Sequence, residues 1–234
     1  MEKKQDKKKE PERFIRFDWA AKRLLRDKAN FGVLEGLLTV LLGDGEHPVH
    51  IVEILESESN QLHMKDKFNR VDIKARNAEG EIILVEIQSN WELYFIERLL
   101  FGVAKAITEH IDLGESYGKV KKVYSICILY FSLGQGADYL YHGQTTFVGV
   151  HTGDELRISE KEKKALVPRL PSEIFPEYYL IRVDEFNKVA TTPLEEWIEF
   201  LKTEKIRPDT TTPGLQEARR KMNFYSLSKA EQEA

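Results

Sequence analysis

The feature that most restricts the fold is a pair of apolar segments at residues 70–76 and 81–88, separated by the sequence NAEG. Short runs rich in valine and isoleucine on either side of a glycine-containing turn predict an antiparallel β-hairpin. Each predicted strand also carries an acid within its apolar run, Asp72 in the first and Glu86 in the second. A sheet built for stability alone rarely does this, because a buried carboxylate is costly to desolvate. The acids are therefore either surface charges on a half-exposed hairpin or the ligands of a site.

The length of the turn decides which face of the hairpin each acid occupies. A three-residue loop at residues 78–80, with Gly80 in the left-handed conformation, pairs Asn77 with Glu81. This register places Asp72 opposite Glu86, about 5 Å away as directly opposed residues are. It also sets Arg70 opposite Gln88 and forms a wholly apolar second face from Val71, Ile73, Ala75, Ile83, Val85 and Ile87. A two-residue turn would bury Glu86 alone among those apolar side chains, so we predict the Gly80 register.

Two carboxylates at that separation repel each other unless a cation lies between them. Oxygen ligands without histidine or cysteine suit Mg²⁺ or Mn²⁺ better than zinc. The main-chain carbonyl of Ile87 is a candidate third ligand, and Gln88 could orient a water molecule or a phosphate oxygen. The alternative is that the two acids pair with Arg70, Lys74 or Arg76 on a solvated face. Spacing alone leaves both readings open.

Composition restricts the class of protein. The chain has 234 residues, of which 41% are hydrophobic, enough for one sizeable domain or one domain with a helical appendage. Its single cysteine, Cys127, excludes intrachain disulfides and multi-cysteine zinc sites, and we expect it to be a core residue. We find neither a membrane-spanning run nor a signal peptide, so we expect a cytoplasmic protein without a membrane partner. The net charge of −4 does not exclude a DNA enzyme, since binding depends on local patches.

Hydrophobic periodicity predicts the remaining elements. Residues 1–12 read as a disordered charged arm, and two helices follow, divided near residues 30–32 and ended at 43–45. A strand at 49–56 precedes the hairpin. The helix that ends at Gly114 is apolar nearly all round, so we predict that it is buried. Further strands are predicted at 120–131 (central), 145–150 and 177–183, and helices at 193–202 and from residue 214, the last without a clear terminator, as in a chain shortened at its C-terminus.

An acid on one strand followed by Glu-x-Gln on the next resembles the PD-(D/E)XK nuclease superfamily. Within that superfamily the chain more closely resembles the recombination-promoting nuclease and putative transposase family of bacteria. The segments that carry the resemblance span roughly residues 14 to 230 and are FDWAAKRLL, NRVDIKARNAEGEIILVEIQ, IERLLFGVAKAI, GESYGKVKKVYSICIL, YYLIRVDEF and PLEEWIEFLK. The hairpin is the most specific of them. Ala21 stands where the family's opening segment usually has an aromatic residue.

The resemblance implies an α/β fold with a restriction-endonuclease-like αβββαβ core, a mixed central sheet and C-terminal helices. It implies a nuclease-like domain at residues 13–190 and a helical extension at 191–234. The implied activity is endonucleolytic hydrolysis of DNA phosphodiester bonds, linked to recombination or transposition. Asp72 and Glu86 would hold Mg²⁺, with Mn²⁺ as the other candidate, and Gln88 stands where the wider fold has lysine. Glutamine supplies neither a positive charge nor a base, so it can only position a water molecule.

Positive charge must then come from elsewhere. Candidates for contacting DNA phosphates are Arg70, Lys74, Arg98 and Lys105. Arg98 is preferred, because a buried helix would not carry an arginine without a partner; the alternative is a salt bridge to Glu97 or Glu35. Glu35 is itself either an additional metal-shell acid or a surface residue.

A catalytically weak or inactive nuclease-fold module that binds DNA or protein is the rival function. A homodimer is among the expected assemblies.

Overall fold

The computed structural model describes residues 21–27, 31–43, 47–56, 71–111, 114–162 and 165–226. The predicted arm at residues 1–12 and the candidate Arg70 lie outside these ranges. Helix α1 is described over residues 21–25. The elements that follow are α2 (Gly32–Leu42), β1 (Ile51–Leu55), β2 (Ile73–Asn77), β3 (Ile82–Gln88), α3 (Phe95–Glu109), β4 (Val123–Leu129), β5 (Leu140–Gly143), β6 (Ile158–Glu162), β7 (Ala165–Arg169), β8 (Glu177–Arg182), α4 (Pro193–Thr203) and α5 (Leu215–Ser226).

A six-stranded mixed sheet organises the chain, with strand order β1-β2-β3-β4-β8-β5. Strands β1, β2 and β3 form an antiparallel meander, and β4 and β8 then continue the sheet parallel to β3. Strand β5 closes the far edge antiparallel to β8. Helix α3 is the crossover that a parallel β3–β4 connection requires. The order α2-β1-β2-β3-α3-β4 is the predicted αβββαβ core.

The hairpin adopts the predicted register. Strand pairing runs from Arg76 opposite Ile82 to Ile73 opposite Val85, and the amide of Asn77 donates to the Glu81 carbonyl over 3.1 Å. Gly80 has φ +80°, the left-handed conformation that the three-residue loop needs. Extending this register by one pair sets Asp72 level with Glu86.

Helices cover both faces of the sheet. One face packs against α1, α2, α4 and α5 in a single large core, whose members include Leu24, Leu37, Ile83, Ile126, Trp197 and Leu215. The core is therefore continuous across residue 190. Helix α2 meets the turn before α5 so closely that a Cβ on Gly36 would lie 2.4 Å from the Gly214 Cα atom. Lys221 of α5 also pairs with Asp27, just after α1, at 2.6 Å. The C-terminal helices thus complete the core that holds the N-terminal ones.

The other face of the sheet packs against α3, and here the prediction of a buried helix is wrong. Phe95, Leu99, Val103 and Ala106 face the sheet and are buried. The outer face of α3 leaves Ile96, Leu100 and Phe101 between 37% and 60% exposed. An apolar sequence on both faces of a helix favours burial of both, but it does not determine whether the chain's own elements cover both.

Strand β4 is the central strand that its apolar run predicts, with Cys127 fully buried inside it. The predicted strand at 145–150 is wrong: that segment forms only an isolated bridge between Val148 and Glu155. Its neighbours instead provide β5 and the separate β6–β7 hairpin. Among the described residues, no helix has both the length and the apolarity that crossing a bilayer would require.

Candidate active site at the ends of β2 and β3

Asp72 interrupts the hairpin at the point where β2 begins. In an antiparallel ladder the Ile87 amide would pair with Val71, but it donates to Asp72 Oδ2 over 2.7 Å instead. The ladder therefore ends at Ile73. Val71 packs against the α3 side of the sheet, in contrast to the predicted apolar face shared with Ile73, which packs on the opposite side. The side chain of Asp72 is thus held against the backbone of β3.

A lysine from the first helix contacts the same carboxylate. Lys22 Nζ lies 3.2 Å from Asp72 Oδ1, and both side chains are partly exposed. Each oxygen of Asp72 therefore has a donor, one from the β3 backbone and one from α1. This pairing connects the N-terminal helix directly to the hairpin.

Glu86 is the more deeply buried of the two acids, with its side chain 7% exposed. It points to the α3 side of the sheet, where Arg98 Nη2 lies 2.9 Å from Glu86 Oε2. Arg98 Nε is also 2.8 Å from Glu92 Oε2, in the turn between β3 and α3. Arg98 therefore forms salt bridges, as the alternative reading expected, although its partners are Glu86 and Glu92 rather than the predicted Glu97 or Glu35, and its role as a phosphate contact stays a prediction.

The pKa of Glu86 is raised above its ordinary value, chiefly because burial removes the charged form from water. Arg98 lowers it in part, whereas the neighbouring charge of Asp72 raises it further. The two acids therefore interact electrostatically. With Glu92, the cluster contains three acids and two cations, Lys22 and Arg98, and this excess of acids favours an added cation.

Gln88 ends β3 and is half-buried. Its side-chain amide donates to the Asn90 carbonyl over 3.3 Å, while the main-chain carbonyl of Gln88 accepts from the Tyr130 amide over 3.0 Å. The side chain can thus turn toward the mouth of the site only by leaving a weak local hydrogen bond. Ile87, whose carbonyl is the candidate backbone ligand, lies between Glu86 and Gln88 with its amide on Asp72.

Lys74 does not belong to the site, which corrects its prediction as a phosphate contact. Its side chain is 9% exposed, and its Nζ atom lies 2.8 Å from Glu109 Oε2 near the end of α3. The ion pair between Lys74 and Glu109 therefore joins β2 to the C-terminal end of α3. A DNA phosphate could reach it only after that ion pair had been broken in a buried environment.

Glu35 is likewise not brought to the two acids. Glu35 Oε1 accepts from the Ile51 amide over 2.8 Å, and Ile51 pairs with Asn77 at the turn end of β2. Asp72 lies five residues away along the strand, on the order of 16 Å at the usual rise per residue. Glu35 therefore fixes α2 to β1 and is not a metal-shell acid of this pair.

Lys105 is half-buried on α3, seven residues and so about 10 Å along the helix from Arg98. Its phosphate-binding role stays a prediction, as does that of Arg70.

Sequence reasoning assigned no role to Lys22 or Glu92. Lys22 lies in FDWAAKRLL, one of the segments that carried the family resemblance, so a signal for it was present. Its contact with a residue 50 positions later could not be inferred from spacing.

The donor set fits a hard cation such as Mg²⁺, which one or two carboxylates and retained water molecules commonly hold. Within the described ranges, no cluster of three or more His, Cys, Asp or Glu side chains could hold a metal ion. The fit thus rests on two carboxylates and the Ile87 carbonyl, and a cation must compete with Lys22 and Arg98 for them.

The αβββαβ order, with an acid at the end of each of two adjacent strands, defines a restriction-endonuclease-like fold of the PD-(D/E)XK class. A family model described as PD-(D/E)XK nuclease family transposase matches residues 15–233, and the chain belongs to that family. No curated protein and no solved structure matches the chain significantly.

Proposed function

We propose that the chain is a metal-dependent endonuclease that hydrolyses phosphodiester bonds in DNA during recombination or transposition. The observation that carries the proposal is the pairing of acids and cations at one end of the hairpin. Asp72 immediately precedes β2 and Glu86 lies two residues before the end of the adjacent β3, and each contacts a cation from a different covering helix, Lys22 from α1 and Arg98 from α3. Family membership supports DNA as the substrate and a divalent metal as the cofactor.

In this proposal Asp72, Glu86 and the Ile87 carbonyl hold the cation. A bound Mg²⁺ would lower the pKa of a water molecule and stabilise the negative charge that develops on the phosphate. Lys22 and Arg98 bind the non-bridging phosphate oxygens, a role that lysine and arginine both perform. Gln88 orients the attacking water, since an amide can donate and accept but cannot take up its proton. Lys22 thereby supplies the positive charge that position 88 lacks.

The test is cleavage of supercoiled plasmid DNA by the purified chain in Mg²⁺ or Mn²⁺. Asp72→Asn and Glu86→Gln should each reduce the cleavage rate at least ~1000-fold, because each removes a charged metal ligand. Glu195→Gln is the matched control, a shielded acid in α4 that should retain activity. Cleavage that persists in excess chelator, or in both site variants, would contradict the proposal.

A second candidate function is a binding module that has lost catalysis. The observation in its favour is that Lys22 and Arg98 already compensate both acids while Gln88 is bonded to Asn90. Calorimetric titration with Mg²⁺ and Mn²⁺ separates the two candidates. Metal binding by the wild type that is absent in Glu86→Gln supports the nuclease, whereas no binding by the wild type supports the module.

A further inference from the structure

The segment that enters α3 and the outer face of that helix expose a group of large apolar side chains, here called the α3 patch. It consists of side chains that are 37% to 68% exposed: Trp91, Leu93, Tyr94, Ile96, Leu100 and Phe101. Ile96 and Leu100 are four residues apart in α3, so they lie along one stripe, and Leu93 lies in the turn before the helix. The opposite face of the same helix is buried against the sheet. Helix α3 thus has one apolar face that packs on the sheet and further apolar side chains exposed on its outer face.

We propose that the α3 patch is the interface through which two copies of this chain form a dimer. Its six side chains expose on the order of 600 Å², at the upper end of what monomers leave uncovered. A standard interface buries about 800 Å² on each partner. The area of the patch, together with the polar residues around it, is close to that area. A twofold axis places the same stripe on both subunits, which makes the surface complementary to itself.

The composition of the patch favours a second copy over nucleic acid. Surfaces that bind DNA concentrate lysine and arginine, whereas the six patch residues are uncharged, and the charged residues one turn before and one turn after Phe101 are an acid and a base, Glu97 and Lys105. Ala104 continues the stripe and is exposed. Its small side chain lets two helices approach to the 8–10 Å at which helix axes pack. Two α3 helices lying against each other would remove the apolar side chains from water on both subunits.

The dimer has a consequence for cleavage that rests on the proposed nuclease function. Helix α3 also carries Arg98, which contacts Glu86. Pairing through α3 therefore joins two sites by the element that borders each of them. Two sites related by a twofold axis suit the two antiparallel strands of one duplex, so a dimer should cut both strands in one encounter.

Sedimentation equilibrium of the full chain tests the interface without any need for activity. The wild type should dimerise with a dissociation constant of about 1 µM or tighter. Leu100→Glu should weaken the dimer at least tenfold, because a charge would be buried against its own copy. Val189→Glu is the matched control, since Val189 is 72% exposed outside the patch, and it should leave the dimer intact. Ile96→Ala/Leu100→Ala provides a second disruption without a charge, and circular dichroism checks that each variant is folded.

A wild type that stays monomeric at ~100 µM would overturn the proposal, as would a dimer unaffected by both patch variants. Equal weakening by Val189→Glu would also overturn it. If Leu100→Glu binds DNA more weakly than the wild type does at concentrations where both are monomeric, the patch is a nucleic-acid surface and the proposal is wrong. In plasmid cleavage, Leu100→Glu should shift the product from linear to nicked DNA. An inactive wild type that still dimerises would contradict the nuclease function alone.

Discussion

Two buried glutamates, Glu86 and Glu195, have environments that shift their pKa values in opposite directions. Glu86 and Glu195 have side chains that are 7% and 5% exposed. Lys188 pairs with Glu195, which also accepts hydrogen bonds from the amide and hydroxyl of Thr191, both at 2.8 Å, and from the Tyr139 hydroxyl at 3.1 Å. These contacts, with that of Lys188 the strongest, lower the pKa of Glu195 to about 2. At Glu86, burial raises the pKa, and a second acid adds to that effect.

The ionised form of Glu195 stabilises the fold, whereas the fold disfavours the ionised form of Glu86. Glu195 lies in the first turn of α4, where the helix dipole also favours negative charge. Burial makes the ionisation of Glu86 cost more free energy in the folded protein than in the unfolded chain. A carboxylate whose ionisation the fold disfavours is typical of a functional site, whereas one surrounded by donors is typical of structure.

Lys74 and Lys22, the two lysines near the hairpin, also differ in role, since Lys74 forms a buried structural ion pair and Lys22 contacts the site. The larger change in stability is expected at Lys74. Lys74→Met should lower the free energy of unfolding by about 3 kcal/mol, because Glu109 stays buried without this partner. Chemical denaturation measures it. The double variant Lys74→Met/Glu109→Gln should recover most of the loss. DNA affinity that falls in both variants would return Lys74 to the site.

The structural acid comes next. Glu195→Gln should lower the melting temperature by roughly 3–6 °C, because the amide cannot accept from Lys188, Thr191 and Tyr139 as the carboxylate does. Since the folded pKa is lowered, the stabilisation is present above the ordinary pKa near 4.5 and is lost as the pH falls toward about 2. Melting curves at several pH values should therefore converge for wild type and variant below that range. A difference that stays constant would contradict the role of charge.

Substitution of Glu86, the acid of the site, should change the melting temperature in the opposite direction. Glu86→Gln should raise the melting temperature by about 2–4 °C at neutral pH, because it removes a buried charge. The folded pKa is raised, so ionisation costs stability as the pH rises from the ordinary value near 4.5 through the folded value. The gain should vanish in acid, where the wild-type residue is protonated. A melting temperature that falls at neutral pH would show that the ion pair with Arg98 outweighs the burial.

The smallest change in stability is expected at Lys22. Its pair with Asp72 is partly exposed, so Lys22→Ala should cost no more than about 1 kcal/mol. The cleavage rate should nevertheless fall ~10–100-fold, because a phosphate contact is lost. Lys205→Ala, a surface lysine after α4, is the control. Unchanged cleavage in Lys22→Ala would leave Arg98 as the cation that serves the site.

The hairpin was predictable because its local chemistry admits one register. Gly80 permits the three-residue loop, and the alternative register would have buried Glu86 alone. Strand β4 was predictable from its continuous apolar run. In both cases neighbouring residues carry the information.

Other features depend on contacts between distant parts of the chain. The approach of Lys22 to Asp72 follows from how α1 lies on the sheet. The departure of Val71 from its expected face follows from the Asp72 side chain replacing a ladder bond. The β6–β7 hairpin arises from a segment rich in lysine and glutamate, which strands usually lack. The exposed face of α3 shows that an apolar sequence does not by itself specify burial within the chain.

The ion pair between Lys221 and Asp27 joins residues 194 positions apart. Helix α1, which carries Lys22, is therefore held in part by α5, a segment that is synthesised long after it. During synthesis a chain that has reached the hairpin but not α5 contains both acids before the contact that helps to hold the helix of Lys22 exists.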